Sequence, residues 1–401
     1  MKIKAKADDI LTAIEDMQKI LGAADDDTVM LEAFTTAEGS EEGRVVVRAD
    51  GRNGNFASFN VIRAKALEPG FATFHFREIA KVAFAFARST IIVSVASDNS
   101  STASIQCCDE TVMLETSSYN LIVAPNKPAG ERAVLETGAL LSCLDDVQHA
   151  QSDDYYLRRS LCGVQFEIAA DMKLRAIATN GRCLAVSERQ IQKTELEKPT
   201  FSAYLSTSAC QFLSRVYHGE MTTIIKYTEK MSVYIETDGG FGHFASPGAF
   251  PDWRQCLPKD PKPLATLHTS ETLASLMRAV TALGKTETEK NDDGDDESYE
   301  TSLKAHLVHV AGNDHMELTV TEAEGGETPL FFKYIKIKEP YSTDFNAFFD
   351  ARYLVRMLRA MIGDVEISAA KLSDKQLGPF VFKCMSISPE LYEVIMPLRA
   401  P

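Results

Sequence analysis

Six stretches of the chain place apolar residues three and four apart, the period of a helix with one buried face. They cover 8–21, 76–88, 137–149, 206–218, 270–283 and 350–362. Thr137, Ser206, Ser270 and Asp350 stand at the starts of four of them, where a side-chain oxygen can accept from the free N–H groups of a first turn. Gly22, Gly219, Gly284 and Gly363 follow the ends of four, as left-handed stop residues do. The intervening sequence alternates or runs in β-branched residues, as in 44–48, 90–95, 223–227 and 232–236, and so predicts strands. Asp50-Gly51 and Asp238-Gly239 suit tight turns between them.

A helix followed by strands, recurring six times at intervals of 60 to 80 residues, predicts a repeat architecture rather than one large core. Paired units give three α+β domains, 1–127, 128–260 and 261–401. Two proline-rich joints mark the boundaries, 124–128 (APNKP) and 257–263 (LPKDPKP), because proline breaks helices and favours extended chain.

Composition narrows the class. At 45% hydrophobic and 25% charged residues over 401 positions, most of the chain can fold. No apolar run is long enough to span a bilayer, and Met1–Lys6 is not followed by the apolar segment of a secretory signal. Eight cysteines with no CxxC pair read as reduced thiols, so a cytoplasmic protein is expected, with no membrane partner. The net charge of −15 alone argues against a nucleic-acid partner. The stretch 285–300, KTETEKNDDGDDESYE, holds eight acidic and two basic residues and is expected to be a solvated, mobile loop. It lacks the spacing of a calcium loop.

The positive charges are patterned. In 350–362, Leu354, Leu358 and Met361 share one face, while Arg352, Arg356 and Arg359 share the opposite one. Arg77, Lys81 and Arg88 align similarly, as do Gln211, Arg215 and His218, and Arg278 with Lys285. The helices at 8–21 and 137–149 fit less well, since Asp8, Glu15, Asp16, Asp145 and Asp146 dilute them. Solvated helix faces are the ordinary explanation of such stripes. Several basic faces in an acidic chain point instead to one surface kept for phosphates. No base-reading motif is present, so backbone contacts independent of base sequence are expected.

Three segments bear on the family. Residues 174–186, LRAIATNGRCLAV, resemble the strand–turn–strand LR-x-VATDGHRLA of bacterial β sliding clamps. Residues 250–254, FPDWR, followed by Leu257-Pro258, resemble that family's FPD[YW]R…LP segment. Residues 394–399, VIMPLR, resemble its terminal V[VI]MP[ML]R. They occur in the family's order and spacing, and the six-fold repeat extends the resemblance along the chain.

The resemblance implies the processivity subunit of the bacterial replicative DNA polymerase, a DNA polymerase III β subunit. Such a protein is a homodimeric ring of clamp domains, with helices inside and sheets outside. It is not an enzyme, uses no cofactor or metal and encircles duplex DNA. The expected channel residues, taken from the helix faces, are Lys19, Arg77, Lys81, Arg88, Arg215, Arg278, Arg352, Arg356 and Arg359. A groove for short peptides of the polymerase catalytic subunit, the clamp loader and other clamp-binding proteins would comprise Leu161, Thr179, Gly181, Leu184, Pro251, Val394, Ile395, Met396, Pro397 and Leu398. The dimer contact would involve Val112 and Leu114 with Ala279, Thr281 and Ala282, where small residues replace the usual bulky pair and predict a weaker dimer.

The chain departs from the family pattern. Arg182-Cys183 stands where His-Arg is frequent, Gln255-Cys256 where Arg-Val is, and Ala400-Pro401 ends the chain where Leu is usual. Rival readings are a clamp-like scaffold that binds partner peptides without encircling DNA, and an enzyme or metal site using pairs such as Cys107-Cys108 or the histidines His306, His309 and His315. The second lacks any nucleophile-elbow, P-loop or HExxH context.

Overall fold

The computed structural model describes residues 1–24, 27–35, 43–51, 54–96, 101–117, 122–192, 194–216, 219–227, 231–283, 286–290, 296–300, 303–322, 331–340, 344–373, 376–385 and 391–398. His218, Gly284, Lys285 and the terminal Arg399, Ala400 and Pro401 lie outside them. The described residues form six α-helices: α1 Ala7–Leu21, α2 Phe76–Ala85, α3 Thr137–Val147, α4 Thr207–Arg215, α5 Thr269–Leu283 and α6 Ala351–Ala360. All six expected helices are therefore present, with ends shifted by a few residues. None is long and apolar enough to cross a membrane.

By contacts the chain divides into two compact units, one of 1–141 with 191–248 and one of 142–190 with 249–401. In the first unit, one antiparallel sheet runs in the order Lys65–Glu68, Lys2–Lys6, Thr90–Ser94, Thr102–Cys107, Glu110–Glu115. A second runs Thr194–Leu196, Glu131–Glu136, Met221–Tyr227, Ser232–Thr237, Gly240–Ala245, Phe56–Asn60, Arg44–Asp50, Thr28–Phe34, Gly70–His75. Asp238-Gly239 closes the two-residue hairpin opposite Thr237 and Gly240, as expected. α1 buries Ile10, Ile14, Met17 and Leu21 and packs beside α2 and α4. Gly22 caps α1 at φ 60°, a conformation open to glycine without a Cβ clash.

In the second unit the strand order is Gly163–Ile168, Lys173–Thr179, Cys183–Gln190, Leu391–Ile395, Gln376–Cys384, Asp364–Ser373, Lys262–His268, Phe331–Pro340, His315–Glu322, Leu303–His309, Phe345–Asp350. α5 packs beside α6. α6 starts at Asp350, whose carboxylate accepts the Arg352 N–H at 2.9 Å. Its apolar face is buried through Leu354, Val355, Met357 and Leu358, with Met361 buried just past its end. Phe349 packs edge to face on Phe380 and Phe382, and Phe345 lies tilted against Phe380.

Three expectations are corrected. The acidic segment is not simply a loop, for Thr286–Lys290 pairs antiparallel with Asp296–Glu300. Threonine alternating with glutamate suits a strand. Arg88 is not on the face of α2, which ends at Ala85. It sits beyond, at φ 67°, where its N–H meets the Asp8 carboxylate at 3.1 Å. Ser270 is the second residue of α5 rather than its cap, and its hydroxyl meets His268 Nδ1 at 2.8 Å.

Candidate groove and basic helix faces

Three of the expected groove residues, Leu184, Val394 and Ile395, converge in the second unit through strand pairing. Strands Cys183–Gln190 and Leu391–Ile395 are neighbours, in the register Leu184 with Val394 and Cys183 with Ile395. Leu184 and Val394 are buried with Ile177, Val186 and Trp253, and Phe250, Leu257, Val381 and Tyr392 pack against that cluster. The turn 179–182 is built from its own side chains. Thr179 Oγ1 donates to the Cys183 carbonyl at 2.6 Å and accepts the Gly181 N–H at 3.1 Å. Asn180 Oδ1 accepts the N–H groups of Arg182 and Cys183 at 2.9 and 3.0 Å. Gly181 has φ 84°, and a Cβ there would lie 3.3 Å from Arg158 and 3.7 Å from Leu161. This turn thus requires glycine and brings Leu161 to it.

The remaining members form the rim. Met396 is half exposed, and its N–H donates to the Arg182 carbonyl at 3.0 Å. Pro397 and Leu398 are half-buried, and Leu398 bridges to Phe348, its N–H 2.7 Å from the carbonyl. Pro251 is exposed beside the turn that buries Trp253. The arrangement is a buried apolar cluster around Leu184 and Val394, an exposed Met beside it and a rigid turn on one side.

The sequence motif held Trp253 and Arg254 without revealing their contacts, and the other residues around this site escaped sequence reasoning. Trp253 donates from Nε1 to Glu167 at 3.3 Å, and Arg254 covers its ring while pairing with Glu167 at 2.7 Å. Residues 151–158 place Arg158 against the Asn180 carbonyl and leave Tyr156 and Leu157 almost fully exposed. On the groove strand itself, Glu393 is wholly buried, 3.0 Å from His149 Nε2. These atoms have no aligned hydrogen-bond partner among the described residues, so the contact is an ion pair. Burial opposes a charged His149, but the Glu393 carboxylate outweighs it and raises the pKa of the imidazole. Burial, reinforced by Glu393, pushes the Cys183 thiol up to about 12 and keeps it neutral.

The basic candidates divide by what they already touch. Five meet carboxylates: Lys19 with Glu15 at 3.8 Å, Lys81 with Glu78 at 3.0 Å, Arg215 with Asp16 at 2.9 Å, Arg352 with Asp350 at 3.7 Å and Arg356 with Asp153 at 3.8 Å. Arg77, Arg278 and Arg359 are exposed, and among the described residues Arg278 reaches the Ser275 hydroxyl. The pairs of Lys19, Lys81 and Arg356 are exposed and of the kind that contributes about 0–1 kcal/mol, so a phosphate can compete for those cations.

The expected dimer residues are not equally accessible. Val112 is half-buried, Leu114 and Ala279 are buried in their own units, and Thr281 and Ala282 are exposed. Glu110–Glu115 is the last strand of its sheet. Among the described residues no group of three or more His, Cys, Asp or Glu could hold a metal ion. His309 is buried against the Asn313 carbonyl, and His315 meets Asp314.

No protein-family model and no curated protein matches this sequence. Solved structures do. The Caulobacter crescentus β sliding clamp is similar at 19% identity, covering 100% of this chain and 99% of that one with a TM-score of 0.74. The DNA polymerase III β subunit of Thermotoga maritima is similar at 17% identity, full coverage of both chains and a TM-score of 0.74. The Helicobacter pylori β clamp bound to a DNA ligase peptide is similar at 14% identity, again over both whole chains, with a TM-score of 0.72. From end to end, this chain has the fold of the bacterial β sliding clamps.

Proposed function

We propose that this protein is a DNA sliding clamp, a ring that encircles duplex DNA and tethers the replicative polymerase to it. The observation that carries this reading is full-length likeness to clamp structures; the strand pairing that joins two of the three sequence motifs around a shared apolar cluster supports it. In this reading the chain comprises three clamp domains, 1–127, 128–260 and 261–401, and two copies close head to tail into a ring. Lys19, Arg77, Lys81, Arg215, Arg278, Arg352 and Arg359 face the hole on helices, with Arg88 just past one, while Arg356, expected with them, lies beside Asp153 and the glycine turn. Their contacts with phosphates are weak, screened and independent of base sequence, so the ring slides while topology keeps it on. The groove, from Leu161 and Gly181 through Leu184 and Pro251 to Val394–Leu398, takes short motifs of the polymerase catalytic subunit, the clamp loader and repair proteins. The H. pylori clamp with a DNA ligase peptide is a precedent for such docking. No step of this function needs catalysis, a cofactor or a metal.

A second reading is a clamp-shaped scaffold that binds partner peptides without encircling DNA. It is favoured by the net charge of −15 and by the five candidate cations already paired with carboxylates. One experiment separates the two. The protein is incubated with nicked circular plasmid and passed through gel filtration. A ring co-elutes with the circle and is lost when the plasmid is linearised. Peptide binding without such retention favours the scaffold.

A further inference from the structure

The strand Lys2–Lys6 reads KIKAK, and its sheet sorts those positions by face. Ile3 and Ala5 are buried, Lys4 and Lys6 are exposed and Lys2 is half-buried. On one side the strand pairs with Lys65–Glu68, which sets Lys4 opposite the exposed Lys65. On the other it pairs with Thr90–Ser94, which sets Lys2, Lys4 and Lys6 opposite Ser94, Ile92 and Thr90. Four ammonium groups therefore share the solvent face of one sheet. The next strand continues that face with Ser104 and Gln106, again uncharged. Glu68, opposite Lys2, is the carboxylate that the pairing brings beside the lysines.

The ordinary reasons for such lysines do not cover this face. Lysine protects an exposed strand edge, but Lys2–Lys6 is paired on both sides and has no edge to protect. Surface cations commonly meet carboxylates, as Lys19, Lys81 and Arg215 do on the helices. Among the described residues none of the four lysines of the sheet forms an ion pair. Like charges directly opposite, as at Lys4 and Lys65, destabilise a strand pair. A chain with 57 acidic and 42 basic residues thus keeps a group of unpaired cations at some cost.

We infer that this sheet face binds the phosphate backbone of duplex DNA, at a surface separate from the helix cations. Lysine is a compact point charge rather than a planar fork, which suits phosphates contacted without base reading. Neighbouring hydroxyl and amide groups, on Ser94, Thr90, Ser104 and Gln106, are of the kind that donates to phosphate oxygens. Alternate residues of a strand lie about 6.6 Å apart, close to two phosphate steps of about 3.4 Å along one strand of a duplex. None of the five strands of this sheet contains an aromatic residue. Unpaired bases would find no stacking platform there, so the face fits duplex rather than single-stranded DNA. In the clamp reading the sheets lie outside the ring, and this surface meets DNA that is not threaded. The inference itself needs no ring.

The test is titration of linear duplex DNA with the full-length protein by fluorescence anisotropy at several salt concentrations. Lys4→Gln/Lys6→Gln/Lys65→Gln is expected to weaken binding by about tenfold or more and to flatten the plot of log affinity against log salt by roughly two to three. Lys4→Gln alone should flatten it by about one, which decides the matter should the triple variant fold poorly. Lys4→Arg/Lys6→Arg/Lys65→Arg should bind as the wild type does. The loss should persist in a background of Arg77→Gln/Arg278→Gln/Arg359→Gln, and retention on nicked circles should survive the lysine changes. Unchanged affinity and salt dependence in the glutamine variants overturn the inference. So does a wild type that binds no linear duplex at low salt, whether or not it is retained on circles. If the triple glutamine variant instead loses binding to vesicles of anionic phospholipid with its duplex affinity intact, the face serves a membrane and the inference falls.

Discussion

Trp253 is the single tryptophan of the chain, and it packs against both strands that floor the groove. Its indole satisfies Glu167, and its ring carries the Arg254 guanidinium at 4.4 Å. Trp253→Ala would open a cavity and take a hydrogen bond from Glu167. A loss of about 3–5 kcal/mol is expected from such a truncation, read from urea unfolding followed by circular dichroism. The same residue makes a native probe, since a groove-bound peptide should alter its emission. The His149–Glu393 pair makes a prediction of a different kind. Glu393 raises the pKa of His149 above the ordinary imidazole value, with Asp146 adding to the effect and Arg356 opposing it. A raised folded-state pKa gives stability that is complete below the unfolded value and fades as pH rises through the folded one. His149→Gln should therefore cost more at pH 6 than at pH 9. Unfolding midpoints of both proteins at each pH check this, and an equal gap at the two would mean that His149 contributes by packing alone.

At the scale of elements, the helix ends are the accessible test. The Asp350 carboxylate caps α6, the helix that carries three of the candidate cations. Asp350→Ala should cost about 1 kcal/mol, and Gly22→Ala a similar amount because it forces a Cβ into the left-handed conformation. Both are read as shifts in the urea midpoint. The helices and many strands were legible because their evidence is local: apolar spacing, a capping side chain, a glycine stop. The pairing of Cys183–Gln190 with Leu391–Ile395 joins two of the three short motifs that the sequence showed. What escaped depends on distant pairing or on a competing local bond. Arg88 fits the period of α2, yet its N–H is taken by Asp8, eighty positions earlier. The alternation in Thr286–Lys290 was outweighed in the sequence by its charge. Arg158 lies nearly two hundred positions from Tyr353 and Arg356, and only the fold brings them to one cavity. His149 and Glu393 carry no motif at all, because nothing in either neighbourhood announces a partner over two hundred residues away.

At the scale of the molecule, the sheets have ends that a ring would cover. Glu110–Glu115 closes its sheet with one side unpaired among the described residues. In the other unit, Phe331–Lys336 pairs with His315–Val320 on one side, while Lys262–His268 pairs only with the later part of that strand, from Ile337. An exposed strand edge invites pairing with another chain, and a head-to-tail dimer would match one edge to the other in both copies, closing the assembly. The side chains set its strength. Met113 is 61% exposed and Phe332 and Tyr334 are about half exposed, but Leu114 and Ala279 are already spent inside their own units, and Thr281 and Ala282 are small. The area left for apolar burial is modest, so a dimer is expected that forms at micromolar concentration and dissociates on dilution. Light scattering across a dilution series should show a species near twice 44.2 kDa giving way to monomer. Met113→Asp should shift that transition at least about tenfold toward monomer, by placing a charge beside Glu115 at the edge. Its urea midpoint should stay unchanged, because the Met113 side chain is mostly solvated in the single chain. A dimer indifferent to Met113→Asp would place the contact elsewhere, and a dimer that never dissociates would mean the small residues on α5 are compensated by contacts along the paired strands.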